Sequence, residues 1–251
     1  MHSRRASDPA RNSPAPPLPL TLAETAFLLD FDGTLVDIAP TPDAVTVTPD
    51  LPDTLQRLRG ATGDAVAIIS GRTIEEIDHF LPHIAYAISG EHGAALREAP
   101  DAAITHLDMP APPDEWLRQA RQFGAAHEGS IIEPKKNGLV LHYRKCPDAA
   151  GVFERFAREL ITDHTDFYVQ PAKMAWEIRM KGVDKGKALR RIMSLPNFRD
   201  KLPIFVGDDR TDLDGVHAAQ AMGGKGYLIP EDFATAEIFR AWLRQCAEMR
   251  P

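Results

Sequence analysis

Three short apolar runs constrain this chain more than any other feature. Ala26-Phe27-Leu28-Leu29 stops at Asp30, Ala65-Val66-Ala67-Ile68-Ile69 stops at Ser70-Gly71-Arg72, and Pro203-Ile204-Phe205-Val206 stops at Gly207-Asp208-Asp209. A run apolar at every position suits a strand buried on both faces, and an abrupt polar stop suits a strand end that opens into a crevice. Helical patterns follow the second and third runs, over 73–80 and 211–221, and a further helix is expected over 51–58. Strands alternating with helices predict an α/β protein with a parallel sheet and helices on both of its faces.

The middle of the chain has a different pattern. Helices are expected over 114–127 and 149–164, the latter from Val152, Phe153, Phe156 and Leu160. Strands are expected over 129–133 and 139–144, joined by a turn at Lys135-Lys136-Asn137-Gly138, and over 167–170 and 174–180. Helix, hairpin, helix, hairpin is an α+β unit with its own antiparallel sheet. The expected organisation is a tail over residues 1–20, a core over 21–103, an inserted unit over 104–180, and the rest of the core over 181–251. The tail is rich in Pro, Ser, Ala and Arg, cannot bury enough surface to offset chain entropy, and is expected to be disordered. It lacks the apolar stretch of a signal peptide.

Composition excludes several function classes. A net charge of −7 argues against a nucleic-acid binder, but not against an anionic substrate, because a bound metal reverses the local sign of a site. Cys146 and Cys246 are the chain's only cysteines and have no metal-ligand spacing, so a reducing compartment such as the cytoplasm is expected. No apolar run approaches the length of a membrane span, so no membrane partner is expected.

The chemistry concentrates at the strand ends. Asp30-Phe31-Asp32-Gly33 puts carboxylates at i and i+2, which face one crevice if the chain curls at Gly33. One carboxylate is suited to attack phosphorus, and the other to protonate the leaving oxygen and later activate water. Alone, Asp-x-Asp-Gly also reads as a turn after a strand. The Ser70 hydroxyl and nearby N–H groups could hold phosphate oxygens, although Ser70 alone also reads as a helix N-cap. Lys185 stands at a helix N-terminus, where the dipole disfavours a cation; a role in neutralising the nucleophile and phosphoryl group would explain it, and a solvated surface lysine is the alternative. Asp208 and Asp212 in Gly207-Asp208-Asp209-Arg210-Thr211-Asp212 supply carboxylates that, with Asp30 and Asp32, suit Mg2+; they also suit an acidic first helical turn.

Taken together, Asp30 to Leu35, Ser70, Lys185 and Gly207 to Asp212 resemble the four motifs of the haloacid dehalogenase superfamily. That resemblance implies a Rossmann-like core carrying an inserted cap, Mg2+ as cofactor and a phospho-aspartate intermediate on Asp30. Pro40, Pro42-Asp43, Val45, Ser70-Gly71-Arg72, Gly90-Glu91-His92-Gly93, Leu141-His142-Tyr143-Arg144 and Glu177-Ile178-Arg179 further resemble the trehalose-6-phosphate phosphatases. The resemblance covers about residues 25–230 and departs at Leu213, where many relatives carry Glu. It implies a sugar phosphate substrate bound by Gly71, Arg72, His92, Lys136, Asn137, His142, Arg144, Glu177 and Arg179. Period two puts His142 and Arg144 on one strand face, and Glu177 and Arg179 on one face of another. A phosphatase for another sugar phosphate, such as sucrose or glucosylglycerol phosphate, and an inactive binding protein of the same fold are the alternatives.

Overall fold

The computed structural model describes residues 15–19, 21–82, 84–108, 111–135 and 137–249. They form two compact units, one of residues up to Leu107 together with those from Val183 onward, the other of Asp108–Gly182. In chain order the elements are β1 (Thr25–Leu29), α1 (Leu51–Thr62), β2 (Val66–Ile69), α2 (Ile74–Phe80), β3 (Ala87–Gly90), β4 (Ala95–Arg97), β5 (Thr105–His106), α3 (Asp114–Ala125), β6 (Ile131–Lys135), β7 (Gly138–His142), α4 (Ala150–Leu160), β8 (Phe167–Ala172), β9 (Ala175–Met180), α5 (Lys185–Met193), β10 (Leu202–Gly207), α6 (Leu213–Ala221), β11 (Lys225–Leu228) and α7 (Ala236–Glu248).

The first unit holds a seven-stranded sheet in the order β11-β10-β1-β2-β3-β4-β5. Its first five strands in that order run parallel, with β4 and β5 antiparallel at one edge. β1 is buried throughout: Phe27 and Leu29 enter one apolar layer, Ala26 and Leu28 the other. Alternation with both faces covered is why residues 26–29 are all apolar. Leu51, Leu55 and Leu58 of α1, Ile74 and Ile77 of α2, and Phe239, Trp242, Leu243 and Cys246 of α7 fill the first layer. Leu189, Ile192 and Met193 of α5, with Val216 and Ala219 of α6, fill the second. Local signals set the helix ends: Thr73 and Glu76 form a capping box at α2, and left-handed Gly63 ends α1.

The second unit is a four-stranded antiparallel sheet in the order β6-β7-β9-β8. Leu139, Leu141 and Ile178 pack against Trp116 and Ala120 of α3 and Phe153 and Ala157 of α4. The rings of Phe123 and Phe156 stack with centroids 4.0 Å apart.

Several boundaries differ from expectation. Thr105–His106 pairs with β4, and residues 104–107 belong to the first unit and not to the insertion. The strand expected over 129–133 lies two residues later, because Gly129 (φ +87°) and Ser130 are still turning; the Ser130 N–H donates to His127 O at 3.1 Å. The strand expected over 139–144 ends at His142, and the chain turns there, with Cys146 N–H donating to Tyr143 O at 2.9 Å. The helix expected over 211–221 begins as a 3-10 turn, Arg210–Asp212. Of the tail expected over 1–20, residues 1–14 and 20 lie outside the described residues, whereas the Pro16 carbonyl accepts from Trp242 Nε1 at 2.8 Å. Among the described residues no helix is long and apolar enough to cross a membrane.

Candidate active site

Asp30, Ser70 and Asp208 stand just beyond the C-terminal ends of three adjacent strands, β1, β2 and β10. Main-chain bonds extend the sheet to the first two: Asp30 N–H donates to Val206 O and Ser70 N–H to Ser89 O, each at 2.9 Å. Gly33 turns the chain with φ +74°, and a Cβ there would lie 1.9 Å from Asp208 Oδ2. Only glycine gives both the conformation and the space.

Lys185 closes this cluster from below. Its Nζ, 3% exposed, donates to Asp30 Oδ1 at 2.7 Å and to Asp212 Oδ1 at 2.5 Å. Asp212 is fully buried, and its other oxygen accepts the N–H groups of Asp208 and Asp209 at 3.1 and 3.0 Å. Gly207 makes that folding-back possible, since a Cβ there would fall 2.1 Å from Asp212 Cγ. Burial raises the Asp30 pKa to about 6, with Lys185 opposing the rise. Burial, then Asp209 and Asp212, raise Asp208 to about 7; burial, then Asp30, raise Asp212 to about 7. Burial alone would lower the Lys185 pKa, but Asp30 and Asp212 outweigh it and raise it. Oxygens of Asp30, Asp208 and Asp212 lie within 4.8 Å of one another. Hard oxygen donors this close, held against their own repulsion, suit a small divalent cation.

Asp32 is outside this group. Its carboxylate takes a forked pair of bonds from Arg72, Nε to Oδ2 at 2.6 Å and Nη2 to Oδ1 at 2.7 Å. The guanidinium stands over the rings of Phe31 and Phe80, 5.4 and 5.3 Å from their centroids, and the bonds to Asp32 raise its pKa. The Ser70 hydroxyl accepts the Arg72 N–H at 3.2 Å. His92, left-handed at φ +58°, donates its N–H to Ser70 O, and its ring covers Gly71 so closely that a Cβ there would come within 2.6 Å. Ser70, Gly71, Arg72 and His92 thus form one wall.

In the second unit, period two places His142, Glu177 and Arg179 on the sheet face opposite the helices. Glu133, missed by sequence reasoning, accepts from His142 Nε2 at 2.9 Å and also pairs with Lys135. Burial would raise the Glu133 pKa, but these two partners lower it. Gln170, likewise missed, donates to Glu177 at 3.0 Å, and Arg179 lies 3.9 Å from Glu177. Alternation along 131–135 and 167–172 would have marked both. Arg144 is exposed in the turn beyond β7, not on the strand face with His142. Asn137 sits in the β6–β7 turn, and Lys136 lies outside the described residues.

A doubly wound parallel sheet with an aspartate at the end of an interior strand, a buried lysine and clustered aspartates defines a hydrolase of the haloacid dehalogenase superfamily. The family model described as Trehalose-phosphatase matches residues 28–230, and the chain belongs to that family. It is 34% identical over 200 residues to a probable trehalose-phosphate phosphatase of Sinorhizobium fredii, covering 79% of this chain and 75% of that one. It is 32% identical over 212 residues to the trehalose-6-phosphate phosphatase of Escherichia coli, covering 82% and 78%. In fold it is similar to the C-terminal domain of the Candida albicans trehalose-6-phosphate phosphatase, with TM-score 0.72, 22% identity, and 93% and 98% covered.

Proposed function

We propose that this chain hydrolyses trehalose 6-phosphate to trehalose and phosphate through a phospho-aspartate on Asp30. The observation that carries the reading is the buried Lys185 bridging Asp30 and Asp212 at the strand ends, beside Asp208. Asp30 Oδ attacks phosphorus, the bond from phosphorus to the sugar oxygen breaks, and Asp32 protonates that oxygen. Water, losing its proton to Asp32, then attacks the phosphoryl group and returns Asp30 as a carboxylate. Lys185 keeps Asp30 oriented and offsets charge as the acyl phosphate forms. Ser70, with the N–H groups around Gly71, holds phosphate oxygens.

Mg2+ fits the donor set. Asp30 and Asp208 would hold it directly. Asp212, with one oxygen on Lys185 and the other on two N–H groups, supports the loop from behind. The ion would neutralise phosphoryl charge beside the carboxylates. For the second unit, the polar groups His142, Glu177 and Arg179, with Asn137, suit recognition of a disaccharide, whose hydroxyls demand many hydrogen bonds. Lys136 joins the same reading, and His92 belongs to the first unit's wall beside Ser70 and Gly71. The protein is expected to work in the cytoplasm.

The test is phosphate release from a panel of sugar phosphates, with Mg2+ and with excess chelator. Trehalose 6-phosphate should lead the panel by a wide margin, and chelator should abolish turnover until Mg2+ is restored. Preference for another sugar phosphate would move the substrate assignment, and full activity in chelator would remove the metal.

A further inference from the structure

Arg72 is held unusually well for a residue whose side chain forks onto a half-buried carboxylate. Its side chain is 11% exposed, whereas that of Asp32 is 40% exposed. The backbone is fixed as well: its N–H is bound by the Ser70 hydroxyl and its carbonyl accepts from Glu91 N–H at 2.8 Å. Two aromatic faces hold the guanidinium plane in place. An ordinary surface ion pair contributes little, because both partners must be ordered to form it. Here one partner is ordered already by Phe31, Phe80 and the main chain. A forked Arg–carboxylate pair fixes direction as well as distance, since two parallel N–H donors leave the carboxylate plane a single orientation.

We propose that Arg72 is the positioning residue for Asp32: the forked pair aims the carboxylate, and Arg72 acts on hydrolysis through Asp32 without gripping substrate. The proposal rests on the reading of Asp32 as the proton-transfer group. It also explains the aromatic residue between the two aspartates. Phe31 is fully buried between Asp30 and Asp32, and its ring is one of the two surfaces that set the guanidinium. The sequence Asp30-Phe31-Asp32 thus carries both the group to be aimed and part of what aims its partner.

Arg72→Ala should lower kcat by about 30- to 100-fold, the usual cost of a misaimed reacting group. The loss should be alike for trehalose 6-phosphate and p-nitrophenyl phosphate, with KM changed by no more than about threefold for either. Arg72→Lys keeps the charge but not the fork and should stay near the Ala variant. Guanidinium ion added to Arg72→Ala should restore part of kcat, and methylammonium should not. In an Asp32→Asn background, Arg72→Ala should add no further loss, because the two residues act as one unit. Arg72→Gln, which keeps length over the two rings, is the substitute if the Ala variant fails to fold, with near-UV circular dichroism as the check. A KM that rises with kcat retained would make Arg72 a substrate contact and overturn the proposal. So would losses that add in the double variant. Failure of the phospho-aspartate reading itself appears elsewhere, as activity surviving Asp30→Asn.

Discussion

The two units handle charge in opposite ways. In the first, Asp30, Lys185 and Asp212 are each at most 4% exposed and are drawn from three separate places in the chain. Lys185 bonds to both carboxylates, so neither can move without disturbing it. In the second, Glu133, His142, Glu177 and Arg179 lie on neighbouring strands of one sheet face and are only partly buried; Glu133 pairs with His142 across the ladder, and Arg179 lies near Glu177 on the same strand. Water can replace any one partner there. A buried charge network fails as a whole when a member is lost, because an uncompensated charge is left behind, whereas a partly solvated face degrades by degrees. The first arrangement suits bond making and the second suits graded recognition.

The most severe way to break the contrast is at its centre. Asp30→Asn should reduce turnover of trehalose 6-phosphate and of p-nitrophenyl phosphate by about a thousandfold or more, as removal of a nucleophile does. Circular dichroism should show the fold intact, since shape is kept. Comparable turnover of either ester would end the assignment.

Gly33→Ala should follow. The added methyl meets the Asp208 carboxylate, and φ +74° disfavours any side chain, so Asp208 must shift. Displacement of a positioned group by about an ångström costs on the order of a hundredfold, here on both esters, together with a higher Mg2+ requirement. Steady-state kinetics across a magnesium series checks it, and an unchanged requirement would show that Asp208 is not needed for the ion.

Glu177→Ala separates the units most clearly. Losing a hydrogen bond to a charged group costs about 1.5–3 kcal/mol, or roughly ten- to a hundredfold in kcat/KM for the disaccharide phosphate. The small artificial ester should change by no more than about threefold, as should both substrates in Arg144→Ala, a substitution at an exposed turn. Equal losses on both esters in Glu177→Ala would place Glu177 in folding or chemistry instead.

The smallest effect is on stability. Asp30, Asp208 and Asp212 have folded-state pKa values of about 6, 7 and 7, above the ordinary 3.8. Between those limits the folded chain holds more protons than the unfolded one, so this cluster stabilises at low pH and its contribution is lost as pH rises through 6–7. Without metal, wild-type Tm should therefore fall relative to Asp208→Asn between pH 5 and pH 8, by a few degrees. Saturating Mg2+ should cancel the difference. A relative rise with pH would mean that Lys185 and the N–H donors outweigh burial and hold the carboxylates ionised without metal.

Much of this was legible in the sequence, for identifiable reasons. The strands that carry Asp30, Ser70 and Asp208 hold unbroken apolar runs, and burial on both faces leaves that mark. β3 and β11 were not legible: Ser89 and Gly90 in one, and Lys225 and Gly226 in the other, dilute the signal in strands of four residues. α7 had a readable face in Phe239, Trp242, Leu243 and Cys246, with Thr235 as its cap. The site divides similarly. Residues fixed by strand ends were placed correctly in space. Spacing groups Asp32 with Asp30, Asp208 and Asp212 but says nothing about rotamers, and the forked pair with Arg72, forty residues on, sets where its carboxylate lies. Arg144 was misplaced because period two holds only while the strand lasts.

The order in which the ribosome delivers the chain gives the sheet one more consequence. β1 is central, yet its neighbour β10 arrives some 170 residues later, with the second unit's own apolar core emerging between them. At 5–20 residues per second that is a wait of roughly ten to thirty seconds. During it the edge of β1 that will meet β10 has no partner, a state prone to wrong pairing and a natural client for chaperones. Lys185 reaches Asp30 across 155 residues, and Asp208 comes later still. A chain released early, before Leu202, would carry Asp30 without Asp208 or Asp212, so the carboxylate cluster exists only in the finished sheet.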